Sequence, residues 1–392
     1  MDASQMTVTE TKNAAERQRQ WLALSLTPQL GPTRGRRLVE HFGEIERVFR
    51  ASLTELEAAG IPAASAQSVA LGKSYELAED EFAKTAEAGA KIVAIGDPDY
   101  PQRLMEIYDP PLALRVRGDA SILSKPGMAV VGTRHPTPYG LGMAERLSSD
   151  LAARGLIILS GLARGVDTAA HRGAINARGK TVAVFGTGVD EIYPRANKKL
   201  AEQILEFGGA LISEFPTGTF PAPQNFPIRN RIISGISVGV LVIEAGEYSG
   251  TRITSRCALE QCREVFAVPG NVTNKLTWGP NTLIKQGAKL VATWEDVWEE
   301  LHTEVRLQVS PLPGAAATES QGTASLFDQQ EMPAQERKVY ALLRADESMQ
   351  IDELIEKLEG RLSSAEIFSA LFELEMASKI RQMPGKYYVR TR

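Results

Sequence analysis

The chain has 392 residues, 43% of them hydrophobic and 23% charged, with a net charge of −4. That length exceeds one ordinary core and predicts two or three domains, and the composition is that of a globular protein rather than a disordered or fibrous one. The charge balance excludes a general polycation, so any nucleic-acid site must be a local basic surface; no run of about 18 apolar residues marks a membrane span.

The first 17 residues are polar, lack the apolar core of a signal peptide and are expected to be unstructured, and a cytoplasmic location is expected. Residues 18–86 read as a small helical domain. RQWLALSLTPQL is apolar at helical spacing, GPTRGRRLVEHFG turns into a second helix, and ASLTELEAAG is a third, stopped by Gly60. Leu30-Gly31-Pro32 forms a tight turn beside Arg34, Arg36 and Arg37. Such a turn suits a helix-hairpin-helix contact to a phosphate, and equally a plain bundle with a solvated basic corner.

From 87 to 302, strand and helix alternate. Short strands are predicted at Lys91–Ile95 and Leu112–Arg117. MAVVG, LIILS, TVAVFG, ALISE, VGVLVIEA, EVFAVPG and KLVAT then follow, with helices between them. These strands are apolar throughout rather than alternating, the mark of strands covered on both faces. The expected fold is a doubly wound, mostly parallel Rossmann-like sheet. Residues 303–334 are rich in Pro, Gly, Ala, Ser and Gln and read as a flexible linker. Residues 335–392 give three helices and a hairpin about Met383-Pro384-Gly385, the pattern of a winged helix. Cys257 and Cys262 fall on one predicted helix at a spacing that points them apart. With no histidine near them, no metal site and no cofactor are expected.

The strands end in glycine-marked turns that carry arginines. These are VVGTR (Val130–Arg134), SGLARGVD (Ser160–Asp167), FGTGVDEIYPRANKK (Phe185–Lys199), FPIRNR (Phe226–Arg231) and EAGEYSGTR (Glu244–Arg252). In an open parallel sheet such turns share the edge where ligands bind. Backbone amides, helix N-termini and guanidinium forks there suit phosphate oxygens. Neither GxGxxG nor GxxxxGK[ST] occurs, which argues against a dinucleotide fingerprint or a Walker ATPase. Asp167 and His171 lie four apart on one helix face, the spacing of an acid–base pair. A helix-capping aspartate above a structural histidine has the same spacing, and no nucleophile accompanies them. Phe226, Arg229, Asn230 and Arg231 join the basic run Tyr193-Pro194-Arg195 and Lys198-Lys199. Aromatics among cations suit an unpaired strand whose bases can stack. Residues 128–300 carry 18 Lys+Arg against 16 Asp+Glu, so the positive charge is patterned rather than abundant.

In this order, VGTR…YG, SGLARGVDTAAH, VAVFGTGVDEIYPRAN, LISEFPTGTFPAPQNFPIRNRIISG, VIEAGEYSGTRITSRCALEQCREVFAVPG and GPNTLIKQGA closely resemble the bacterial DNA-processing protein A family, DprA or Smf, over residues 90–292. The resemblance implies a Rossmann-like core between a helical, SAM-like domain and a winged helix. It implies a homodimer that is not an enzyme, binds single-stranded DNA and hands it to the RecA recombinase during natural transformation. The DNA contacts it implies are Gly132, Arg134, Ser160, Gly161, Arg195, Lys198, Phe226, Arg229 and Asn230. Two departures stand out. Arg195 occupies a position where lysine is common. The winged-helix tail carries 10 Lys+Arg against 10 Asp+Glu over 334–392, and its presumed recognition helix, SSAEIFSALFELEMA, holds three glutamates and no base. That helix is expected to meet protein rather than a duplex groove. Two other functions fit the turns. One is a nucleotide-hydrolysing enzyme of the phosphoribohydrolase-like superfamily, whose PGGxGTxxE motif survives here only as Ser249-Gly250-Thr251. The other is a nucleotide-sensing regulator.

Overall fold

The structure is a computed structural model that describes residues 3–247, 249–309, 333–344, 348–358, 362–377 and 379–390. Its centre is a nine-stranded sheet. The strands are β1 (Lys91–Ala94), β2 (Ala113–Gly118), β3 (Gly127–Val131), β4 (Ile157–Ser160), β5 (Thr181–Phe185), β6 (Ala210–Ser213), β7 (Gly239–Val242), β8 (Glu264–Ala267) and β9 (Lys289–Leu290). Their order is β1-β2-β6-β5-β4-β3-β7-β8-β9. All pairs from β6 to β9 are parallel; β1 and β2 add an antiparallel edge.

Both faces of the sheet are covered, as the continuous apolar strands predict. Met128 and Val130 of β3 face a cluster with Met143, Leu147, Leu151 and Ala170. Ala129 and Val131 face the opposite cluster, with Ile232, Ile233 and Ile236. The chain winds outward from β3 to β6, then returns to place β7 on the other side of β3. The order of winding therefore reverses between β3 and β7, which is the point where ligands enter such sheets.

The N-terminal unit is a helical bundle around Trp21, Leu22, Leu24, Leu38, Val48 and Leu56. Its first helix runs Ala3–Leu26 and so overlaps the stretch 1–17 expected to lack structure. Polar residues at the end of that stretch and just beyond it are held by partners distant in sequence. Gln18 Nε2 donates to Ile92 O at 2.8 Å and to Asp97 Oδ2 at 2.7 Å, and the Tyr75 hydroxyl donates to Glu16. The bundle is locked to the sheet by a buried ion pair. Arg115 Nε on β2 lies 2.7 Å from Glu81 Oε1, with side chains 1% and 6% exposed. Among the described residues no helix is long and apolar enough to cross a membrane.

The stretch expected as linker opens with a helix, Thr303–Gln308. Leu301, Val305 and Val309 recur every four residues and bury one apolar stripe against the sheet cover. The expected linker from 310 to 332 lies outside the described residues. The C-terminal unit is a winged helix. Helices Ala334–Leu342, Ile351–Leu358 and Ser364–Met376 pack on a three-stranded sheet, β10 (Met349–Gln350), β11 (Ile380–Met383) and β12 (Tyr387–Arg390). Two smaller expectations need correction. KLVAT pairs over only two residues, and the helix carrying Cys257 ends at Glu260, leaving Cys262 beyond it at φ 55°.

Candidate functional site

The turns after β3, β4, β5 and β7 meet on one edge, and two clefts open there. The larger, of 1070 Å³, lies over the β3/β7 reversal; its walls include Thr133, Arg134, Phe226, Asn230, Glu247 and Ser249–Thr251. The smaller, of 620 Å³, lies on the β4/β5 side, between Arg164, Tyr193, Arg195 and Phe220. Arg134, Tyr193 and Phe226 line both and form the ridge between them.

The ridge is a cluster of rings and cations. The Tyr193 and Phe226 rings are 5.7 Å apart at 39°, and the Arg134 guanidinium carbon lies 5.7 Å from the Phe226 centroid. Arg134 is exposed, Tyr193 is 42% exposed and Phe226 is half-buried. Arg195, on the short turn Arg195–Asn197, is exposed on the flank of the smaller cleft. Phe220 is 76% exposed on its opposite wall. Across the two clefts Arg134, Arg164, Arg195 and Arg229 stand with Asp167, Glu191 and Glu247, so exposed guanidinium groups and aromatic surface lie together and can stack flat rings while pairing with anions.

The turns are bolted to one another from below. Glu244, fully buried at the end of β7, receives Thr137 N at 2.8 Å and Thr137 Oγ1 at 2.5 Å. That places a carboxylate beneath the N-terminus of helix Pro138–Ala153, where the dipole favours it. Burial raises the Glu244 pKa and the Thr137 bonds oppose the rise. Thr133 N also donates to Glu244 O at 2.7 Å. Gly132 is required here for packing, since a Cβ would sit 2.5 Å from Val166 Cγ2 and 2.9 Å from Glu244 O.

The nine residues expected to contact DNA are therefore of three kinds. Arg134, Phe226 and Asn230 come together on the cleft walls with Arg195, and Gly132 sits at the base of the same wall. Lys198 is exposed three residues beyond Arg195 but lines neither cleft. Ser160, Gly161 and Arg229 are buried. Ser160 Oγ donates to Val130 O at 2.7 Å. The Gly161 amide is committed to Asp167 Oδ2 at 3.0 Å. Arg229, 5% exposed, donates through Nη1 to Gly161 O at 2.9 Å and to Val184 O. These three groups are the floor of the site rather than its reaching donors. Burial brings the Arg229 pKa down to about 10, with Asp167 opposing that shift.

Asp167 and His171 do not form an acid–base pair. Asp167 caps the turn after β4, accepting Gly161 N and Ala163 N at 3.0 and 3.3 Å. His171 is fully buried, its Nδ1 2.7 Å from Thr181 Oγ1. Thr181 Oγ1 gives its own proton to Ile158 O at 2.6 Å, so Nδ1 is the donor and the proton sits there. Burial holds the His171 pKa near 3, leaving a neutral structural imidazole. The described residues contain no cluster of metal-ligating side chains. Sequence reasoning missed His135, which lines both clefts, and Phe220. Phe220 carried a signal: an aromatic beside Pro221 and Pro223 has little chance of a regular core position.

The residues between 91 and 302 match the family model of DNA recombination-mediator protein A, and residues 323–386 match that of the DprA winged helix domain. Protein Smf of Escherichia coli is 42% identical over 288 residues, spanning 74% of each chain. Protein Smf of Synechocystis is 32% identical over 401 residues, covering 96% of this chain and 100% of that one. The X-ray structure of DNA processing protein A from Streptococcus pneumoniae superposes with a TM-score of 0.64 at 36% identity, covering 71% of this chain and 96% of that one. The chain belongs to the DprA/Smf family of DNA recombination-mediator proteins.

Proposed function

We propose that this protein binds single-stranded DNA along the ridge between the two clefts, without chemical change to the strand. In this reading it hands the strand to RecA as a homodimer during transformation or recombination. The observation that carries the reading is the Tyr193–Phe226 ring pair, with Arg134 over Phe226 and Arg195 on the wall of the same cleft. A duplex hides its base faces, so a stacking ridge among guanidinium groups favours an unpaired strand. The family's name as a recombination mediator supports the same direction. The separate commitments of Asp167 and His171 support a binding role over a hydrolytic one.

The test is filter binding of oligothymidylate and of a matched duplex to wild type, Arg134→Ala and Arg195→Ala. The reading expects strong preference for the single strand and loss of affinity in both variants. The log affinity should fall with log salt by ~0.7 per phosphate contact, and each variant should flatten that slope by about one contact. Wild-type binding by Arg134→Ala would remove the ridge from consideration. The nucleotide-hydrolase alternative draws on Ser249–Thr251, which lines the larger cleft at the start of helix Thr251–Glu260. Release of free base from a nucleoside monophosphate would favour it.

A further inference from the structure

A second cation–aromatic pair stands next to the wall of the larger cleft that Glu247, Thr251, Ile253 and Leu276 form, and lines neither of the two clefts itself. The Arg252 guanidinium carbon lies 5.6 Å from the centroid of Trp278, and the indole is 39% exposed. Arg252 Nη1 donates to Glu247 O at 2.8 Å, and Glu247 is part of the cleft wall. Trp278 is rigidly presented. Ala245 N donates to Leu276 O at 2.7 Å and Gly279 N donates to Ala245 O at 2.9 Å, so the segment carrying the ring is clamped to the end of β7. Gly279 permits that clamp, since a Cβ would sit 2.6 Å from Ala245 O. Lys275, exposed on the same segment, adds a further positive charge.

An exposed tryptophan costs solvation that a core position would recover, and this one has no core role. It repeats the chemistry of the ridge, an arginine lying over an aromatic, and Thr251 and Ile253 on either side of Arg252 line the larger cleft. Leu276, two residues before it, lines the cleft that Phe226 also lines. We infer that Arg252 and Trp278 form a second stacking subsite for an unpaired base, so that a strand seated on Tyr193 and Phe226 continues across the β3/β7 reversal onto the indole. The inference rests on the single-strand reading above and extends its track. Stacking is tolerant of base identity because every base has a π-face. The subsite therefore adds length dependence and affinity, not sequence preference.

The experiment compares a short oligothymidylate of about 4 nucleotides with a long one of about 16, the span of known single-strand site sizes. Binding is measured on the full chain for wild type, Trp278→Ala, Trp278→Phe, Trp278→Leu, Arg252→Ala and Arg134→Ala. The expected result is a loss of about 5- to 150-fold for the long oligomer in Trp278→Ala, the equivalent of one base stack. The short oligomer, held by the ridge, should bind within about twofold of wild type by the same reasoning. Phenylalanine should restore most of the loss and leucine should not. Unchanged long-oligomer affinity in Trp278→Ala and Arg252→Ala, with Arg134→Ala still impaired, overturns the subsite and leaves the ridge standing. Equal losses on both lengths, or a loss that phenylalanine fails to repair, overturn it as well. Absence of effect in Arg134→Ala would remove the underlying reading instead.

Discussion

Arg229 and Gly161 define each other. The Arg229 Nη1 donates to the Gly161 carbonyl at 2.9 Å, and a Cβ on Gly161 would stand 2.5 Å from the same guanidinium. The pair joins helix Asn225–Ile236 to the end of β4 directly beneath the ridge. Arg229 also lies 6.0 Å from the Phe226 centroid, so the charge that binds the floor together supports the ring above it. Removing Arg229 leaves the Gly161 and Val184 carbonyls unpaired and Asp167 buried without its cation. Arg229→Ala should lose about 1–3 kcal/mol of unfolding free energy in urea, the range for leaving buried polar groups without their donor. Arg134→Ala, by contrast, should keep wild-type stability and lose DNA affinity. An Arg229→Ala protein as stable as wild type would mean that these bonds do not hold the floor together.

A buried ion pair, Glu81 with Arg115, controls the site from a distance. Glu81 accepts Arg115 Nε, Thr217 N at 2.9 Å and Thr217 Oγ1 at 2.9 Å, while Arg115 Nη1 donates to Glu214 O at 2.9 Å. The helical bundle thereby grips the 214–219 segment that leads into Phe220 and Pro221 of the smaller cleft. Glu81→Gln leaves Arg115 charged in a dry interior and should cost about 3–5 kcal/mol. The double variant Glu81→Leu with Arg115→Met should recover most of it, because an apolar pair of similar size escapes the desolvation penalty. Denaturation midpoints of the two proteins decide the matter; a double variant no better than Glu81→Gln would point to the Thr217 and Glu214 bonds as the larger contribution.

How much of this was visible in the sequence differs by level. The sheet was legible because its strands are unbroken apolar runs, and the site edge was legible because glycines mark the strand ends. Strand order was not. Nothing local says that β7 returns beside β3, because that is set by which faces of the intervening helices pack. The burial of Arg229 was hidden for the same reason. In FPIRNR it looks like any exposed donor, since its acceptors lie 68 and 45 residues away in the chain. The polar start of helix Ala3–Leu26 looked unstructured because Glu16 finds its partner, the Tyr75 hydroxyl, 59 residues on. Periodicity reports a helix with an apolar face; it is silent about a polar helix held by remote hydrogen bonds.

The neutral His171 makes stability depend on pH in a defined window. Its pKa falls from 6.5 to about 3 on folding because burial penalises the imidazolium. Between those values the unfolded chain binds a proton that the native chain does not. Stability is therefore complete above about pH 6.5 and drains as pH falls toward 3, at about 1.4 kcal/mol per unit. Asp167, Glu214 and Glu244 have raised pKa values and act in the opposite sense, so the total curve is a poor readout. The difference between wild type and His171→Gln isolates the histidine. That difference should move against wild type by the stated slope between pH 6 and 4 in urea titrations. A flat difference would mean that the buried imidazole is protonated in the native protein.

The winged helix should be dispensable for holding a single strand. In helix-turn-helix modules the recognition helix enters the major groove among phosphates, which rewards Lys and Arg and repels carboxylates. Here helix Ser364–Met376 contains Glu366, Glu373 and Glu375 and no base. Its outward face is apolar instead: Phe368, Phe372 and Met376 are 50%, 61% and 70% exposed at successive four-residue steps. Such a stripe suits a protein contact, and acids beside it would repel DNA. Among the basic residues nearby, Arg390 is spent on Tyr340 O through Nε at 2.8 Å and lies over the Tyr340 ring. Deleting residues 334–392 should leave oligothymidylate affinity within about twofold, and the salt slope unchanged, because no counterion-releasing contact is lost. A flattened slope after deletion would show that the tail does supply phosphate contacts, and the charge argument for a protein partner would fail with it.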